Sequence, residues 1–187
     1  MLVWINGAFG AGKTTVARRL AATLPGARLF DPEQIGFLLR RLFPDAATGD
    51  FQDLALWREL TVRTLTVAAA EPGKIPIVPM TLIDRDYFRE IVGGLRSRGI
   101  DVRHFCLVAS PDTLRRRIRW RIDRLASKRW ARSRIQACTA ARADQAFATH
   151  VQTDRIGIRQ VAAEILAALE DGECAAAGRG DKAGALC

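Results

Sequence analysis

The chain has no apolar run approaching the roughly 20 residues needed to span a bilayer, so a membrane-spanning fold has no candidate segment. Its four cysteines, Cys106, Cys138, Cys174 and Cys187, form no C-x-x-C pair and no zinc spacing. Histidine stops at His104 and His150, too few ligands for a transition-metal site. Cys187 is last and lacks the three further residues of a prenylation signal. An apolar strand begins at Leu2, so no cleaved leader is expected. Thiols without a disulfide framework suit a reducing, cytoplasmic compartment. At 187 residues and 49% hydrophobic content, the chain can build one domain with a buried core.

What is present begins at Gly7. Residues 7–14 read Gly-Ala-Phe-Gly-Ala-Gly-Lys-Thr, the full G-x-x-x-x-G-K-[ST] pattern, with Thr15 behind it. Leu2-Val3-Trp4-Ile5 in front is short and apolar, as in a buried parallel strand. Behind it, Val16, Ala17, Leu20, Ala21 and Leu24 recur at helical spacing. Strand, glycine loop and helix are the context in which this motif cradles phosphates. Gly7, Gly10 and Gly12 allow backbone conformations closed to other residues. The amides of Ala8, Phe9, Gly10, Ala11, Gly12, Lys13 and Thr14 are expected to form an anion nest at a helix N-terminus. Lys13 supplies a point charge for β- and γ-phosphates, and the Thr14 hydroxyl is the expected magnesium ligand. The implied cofactors are ATP and Mg2+.

The remaining pattern alternates. Strands are expected near residues 2–6, 28–30, 75–79, 102–108 and 150–153. Helices are expected over 32–43, 53–70, 86–98, from Ser110-Pro111 onward, 133–147 and 156–169. In the third helix, Leu56, Leu60, Leu65 and Val67 are available for a core. This order predicts an α/β fold of three αβα layers around a parallel sheet of about five strands, with ligands beyond the carboxyl ends of the strands. The Gly7 loop, Asp31, Met80-Thr81, Ala109-Ser110 and Thr153-Asp154 then share one rim. A domain over 1–170 and a small-residue, flexible tail over 171–187 follow.

The net charge is +9, and much of it sits between Arg115 and Arg134. Such a segment suits nucleic acid, an anionic membrane or a polyphosphate ligand. In a phosphate-binding domain the last is the most economical, and the aromatic interleaving of single-strand binders is missing. A basic helical lid over about 115–135 is therefore expected, with Arg117 and Arg121 as phosphate contacts in catalysis. Asp31, ending the second strand one strand from the loop, is the candidate to accept a hydroxyl proton or to hold magnesium, and Glu33 is placed to share metal work. Asp31 is equally well placed to cap the helix that Pro32 opens. Arg40, Phe51, Asp53, Trp57 and Arg58, with Met80 at the rim, are candidates for an acceptor pocket; Phe51 and Trp57 read equally well as core. The third strand ends without a Walker-B carboxylate, which argues against a motor or switch NTPase and for group transfer.

Trp4-Ile5-Asn6-Gly7-Ala8-Phe9-Gly10, Asp31-Pro32-Glu33, Gly36-Phe37, Phe51-Gln52-Asp53 with Leu56-Trp57-Arg58, Val78-Pro79-Met80-Thr81, Tyr87-Phe88, His104-Phe105 and His150 to Asp154 together resemble the TmrB-like tunicamycin-resistance proteins. The resemblance covers residues 2 to about 166. It implies a P-loop kinase-like fold that binds ATP through Gly7 to Thr15, with Asp31 matching the acidic end of strand 2. It also implies resistance to tunicamycin, a nucleoside antibiotic carrying a fatty acyl chain. Phosphorylation of the drug and its sequestration are both consistent with the resemblance, as is a peripheral contact with the inner membrane face through a C-terminal amphipathic helix; Ile156, Val161, Ile165 and Leu169 could serve that contact but fit better as the helix that closes the sheet. The leading expectation is an ATP-dependent phosphotransferase. An ATP-dependent drug-binding protein, a small-molecule kinase with another substrate, and last a nucleic-acid-dependent ATPase are the alternatives.

Overall fold

The computed structural model describes residues 1–46, 49–119 and 149–180, with side chains as far as Asp171. Five strands, β1 (Leu2–Gly7), β2 (Ala27–Leu29), β3 (Ile75–Pro79), β4 (Val102–Val108) and β5 (Thr149–Gln152), form one parallel sheet in the order β2-β3-β1-β4-β5. Successive β1 side chains point to opposite faces. Val3 and Ile5 join a core containing Val16, Ala17 and Leu20 of α1 (Lys13–Thr23), Leu114 and Ile118 of α6 (Pro111–Arg119), and Val161, Ile165 and Leu169 of α7 (Ile158–Gly180). Leu2 and Trp4 join the opposite core. There they meet Leu39 of α2 (Glu33–Leu42), Trp57 and Leu65 of α3 (Ala55–Ala70), and Ile91 and Leu95 of the helix formed by α4 (Arg85–Phe88), a π-turn (Arg89–Gly93) and α5 (Gly94–Arg96). Helices thus cover both faces, the three-layer arrangement the alternation predicts.

β3 tolerates two prolines because of where they fall. The Ile75 amide donates to Gly26 and the Ile77 carbonyl accepts from Phe30, so odd-numbered residues pair with β2; Met80, an even one, donates to Ile5 of β1. Pro79 therefore lies past the end of β2. Pro76 precedes Ile77, whose partner Val3 is the first paired residue of β1 on that side. Neither missing N–H removes a bond from the middle of a ladder.

Two elements differ from expectation. In α3 the buried stripe is Trp57, Thr61, Val62 and Leu65, whereas Leu56 and Val67 are exposed. The i, i+4, i+8 row through position 57 carries the tryptophan to the core, and Leu56 and Val67 fall off that row. α7 continues to Gly180, into the segment assigned to a tail. Its residues Val161, Ile165 and Leu169 are buried against α1 and the sheet. The docked helix therefore keeps that apolar face from a bilayer. Among the described residues no helix is long and apolar enough to cross a membrane. Residues 120–148, which contain Arg121, most of the expected lid and the 133–147 helix, lie outside the described residues.

Candidate active site

The phosphate loop joins β1 to α1. Gly7, Gly10 and Gly12 have φ of +140°, +85° and +99°. A β-carbon on Gly7 would lie 2.7 Å from the Leu107 carbonyl oxygen of β4, and one on Gly10 3.0 Å from Ile118 of α6. The glycines thus let the loop pack tightly against its own scaffold, a cause the motif alone does not reveal. The Ala11 amide is engaged in a turn to the Ala8 carbonyl, at 3.1 Å. Lys13 opens α1 and reaches back over the loop, its Nζ donating to the carbonyls of Gly7 (3.0 Å) and Ala8 (3.1 Å) and lying 5.2 Å from the Phe9 ring centroid. Thr14 and Thr15 are exposed in the first turn of α1, where a hydroxyl can meet a phosphate-bound cation. Left-handed glycines, a helix N-terminus, an ammonium and an exposed hydroxyl are the donor set a magnesium-bound triphosphate requires.

Asp31 follows β2 and is half-buried. β3 lies between β1 and β2, so Asp31 stands two strands from the loop rather than one. At about 4.8 Å per strand that is roughly 10 Å, a gap with room for a terminal phosphate and an acceptor hydroxyl. Asp31 Oδ1 accepts from the Glu33 amide at 3.0 Å, capping the start of α2. A carboxylate has a second oxygen and further lone pairs, so the cap and a proton-accepting role are compatible. Glu33 is the first residue of α2, at the same corner.

The candidate acceptor residues form one corner around a 3-10 turn (Phe51–Asp53) that the Asp50 side chain caps through the Gln52 amide, at 3.1 Å. The Arg40 guanidinium lies 5.3 Å from the Phe51 ring centroid and donates to the Gly49 carbonyl at 2.7 Å. Arg58 lies 4.2 Å from the Tyr87 ring centroid, pairs with Glu90 at 2.6 Å and donates to the Gln52 carbonyl at 2.6 Å. Tyr87 donates its hydroxyl to Asp53 at 3.0 Å, and that bond holds the phenol above its ordinary pKa. Two candidates are corrected by burial. Trp57 is 0% and Met80 2% exposed. The indole N–H of Trp57 is bonded to the Pro32 carbonyl at 3.0 Å, so the ring braces the Asp31–Pro32 turn from beneath and offers a ligand no surface. Met80 packs in the same core. Phe51, also buried, has its ring so close to Gly36 that a β-carbon there would lie 2.6 Å from it.

Arg117 sits in the last turn of α6. It donates to the Thr153 hydroxyl at 3.1 Å and the Thr153 carbonyl at 2.6 Å, at the end of β5. The neighbouring Asp154 accepts from the Ser110 amide and hydroxyl, and chiefly that backbone bond holds its carboxyl below the usual range. Ser110 in turn caps α6 through the Thr113 amide, at 3.3 Å. His104 of β4 is buried, 5.0 Å from the Phe88 ring by centroids, and burial first, then the charge of Arg96, pushes its pKa down to about 3. It is a neutral core residue. Among the described residues no group of three or more His, Cys, Asp or Glu could hold a metal ion.

Three polar residues join the two halves of the rim without being site candidates on sequence grounds. Asn6 Oδ1 accepts from the amides of Gly7 (2.8 Å) and Leu82 (2.9 Å), and its Nδ2 donates to the Leu82 carbonyl (2.7 Å). The Thr81 hydroxyl donates to the Gly7 carbonyl at 2.9 Å, and Gln52 Nε2 to the Thr81 carbonyl at 3.0 Å. A polar residue closing an apolar strand is a signal for Asn6. Gln52 carries no comparable local signal, because its partner lies 29 positions away.

The model of the AAA domain family matches residues 2–144. A comparison with curated proteins found no significant match. Among solved structures, the tunicamycin resistance protein of Deinococcus radiodurans is similar at 34% identity and a TM-score of 0.74, over 90% of this chain and 94% of that one. A gluconokinase from Sinorhizobium meliloti 1021 is similar at 15% identity and a TM-score of 0.65, over 90% and 91% of the two chains. A deoxyadenosine kinase from M. mycoides is similar at 15% identity and a TM-score of 0.58, over 91% and 100%. The last two matches speak to the fold alone. With this sheet order, this loop and these likenesses, the chain belongs to the AAA domain family of P-loop, kinase-like proteins and to the same family as the Deinococcus radiodurans tunicamycin resistance protein.

Proposed function

We propose that the protein is an ATP- and Mg2+-dependent phosphotransferase that phosphorylates a hydroxyl of a nucleoside-type antibiotic such as tunicamycin. The observation that carries this reading is the placement of Asp31 across the rim from Lys13 and Thr14, with β3 between them and no carboxylate at its end. Residues 1–170 would form the catalytic domain and 115–135 its lid. Gly7 to Thr15 hold the triphosphate, with Lys13 at its outer phosphates. Thr14 would hold the magnesium ion directly and Asp31 through water, the ion supplying charge neutralisation. The acceptor oxygen bonds to the γ-phosphorus, the bond to the bridging oxygen breaks, ADP departs and the hydroxyl proton passes to Asp31. Arg117 and Arg121 would meet the charge on the transferred group. Glu33, Arg40 and Arg58 would frame the acceptor, with the Phe51 ring packed beneath Arg40. The name of the Deinococcus radiodurans relative supports the drug as acceptor.

The test is incubation with ATP, Mg2+ and tunicamycin, followed by mass analysis of the drug. The gain of one phosphate is expected. An unmodified drug, together with full protection of cells, would discard the transferase reading. The bond from the Glu33 amide to Asp31 favours a second reading, in which Asp31 only caps α2 and the protein sequesters the drug in an ATP-dependent way. Asp31→Asn separates the two, since a sequestering protein keeps resistance and a phosphotransferase loses it.

A further inference from the structure

Transfer between two bound molecules requires that both be held in one frame, because reacting atoms must meet within about 3–3.5 Å. In this fold the phosphate loop and the acceptor corner belong to elements distant in sequence, and a continuous path of hydrogen bonds runs between them. It starts at the Gly7 carbonyl, which accepts from both Lys13 and Thr81. It passes from the Thr81 carbonyl to the Gln52 amide group, and from the Gln52 carbonyl to Arg58. Thr81 and Gln52 are 6% and 8% exposed. A competing water therefore has little access, and each lost partner would leave a buried polar group unsatisfied. The Gln52 amide meanwhile anchors the Phe51–Asp53 turn through Asp50. Side-chain and backbone groups of one residue thus tie the acceptor turn to the loop and to its own cap.

We propose that Gln52 is a positioning residue which, through Thr81, locks the acceptor turn at 50–53 to the Gly7 carbonyl of the phosphate loop, so that nucleotide in the loop orders the acceptor side. The inference rests on the nucleotide-binding reading above. Coupling of this kind is reciprocal, so an acceptor seated at the turn tightens nucleotide binding by the same factor.

Hydrogen exchange of the whole protein with and without Mg-ATP tests it. In the wild type, Mg-ATP is expected to slow exchange at residues 8–14 and, by about tenfold, at residues 50–58. Gln52→Leu keeps the first effect and loses the second. Thr81→Val, which removes only the hydroxyl link to Gly7, does the same and serves if Gln52→Leu does not fold. In the transfer assay both variants lower kcat by about tenfold, while their affinity for Mg-ATP measured without acceptor is unchanged, a split that general destabilisation does not produce. Equal slowing at 50–58 in wild type and variants, or none in a wild type whose loop is protected, overturns the inference and leaves nucleotide binding standing. Absence of protection at 8–14 in the wild type overturns nucleotide binding, and this inference with it.

Discussion

The two faces of the sheet are built in different ways. On the α1, α6 and α7 face the working parts are backbone. Three left-handed glycines, a helix N-terminus and a lysine folded over two carbonyls are wedged against β4 and α6. On the α2, α3 and α4 face the working parts are side chains bonded across long stretches of sequence: Arg58 to Glu90, Tyr87 to Asp53, and Trp57 to the Pro32 carbonyl. A backbone site needs few residue types and keeps a compact motif. A side-chain site is assembled by the fold and can be re-lined residue by residue. On the proposed function, the phosphate face holds the nucleotide and the other face selects the acceptor.

The contrast can be broken at several points. Asp31→Asn keeps an oxygen to cap α2 but cannot take a proton. The transfer rate is expected to fall about 10²- to 10⁴-fold with the fold intact, as read by product mass and circular dichroism; an unchanged rate would make the corner a binding surface only. Gly7→Ala places a β-carbon against the Leu107 carbonyl, where neither strand can yield. A loss of about 3 kcal/mol in urea unfolding is expected, which would mark the backbone face as the rigid one. His104 lies on the side-chain face, stacked on Phe88. Its folded pKa lies near 3, below the unfolded value of about 6.5. The stability it contributes as a neutral ring is thus complete above about pH 6.5 and is lost as pH falls toward 3, by roughly 1 kcal/mol per unit. Unfolding curves between pH 7 and 5 should show that slope in the wild type and a shallower one in His104→Phe. The exposed Arg63–Glu59 pair of α3 should matter least. Glu59→Ala is expected to cost under about 0.5 kcal/mol, and a larger loss would mean that the side-chain face is more tightly coupled than its geometry indicates.

The same contrast explains what could be read from the sequence. The strand Leu2–Gly7, the loop behind it and the strand Val102–Val108 were legible because apolar periodicity and glycine spacing are local signals. The prolines of β3 did not mislead, since both fall at ladder ends. The acceptor corner was legible only as a set of residue types. Trp57 reads equally as core or as a ligand contact and Met80 as a rim contact, because a tryptophan in an amphipathic helix reports apolarity and not which way it faces. Asp31 was one strand misplaced, because sheet order is a tertiary choice that the order of elements does not specify. Gln52 and Thr81 were invisible in their structural role, since buried hydrogen bonds between positions 29 apart leave no local pattern.

Calorimetric titration of the folded protein with ATP and Mg2+, repeated on Lys13→Ala, tests the central claim most directly. Saturable binding in the wild type and a loss of at least about tenfold in affinity in the variant are predicted, the cost of a charge-assisted bond of roughly 1.5–3 kcal/mol. No heat of binding in the wild type, or equal affinity in both, would contradict the account.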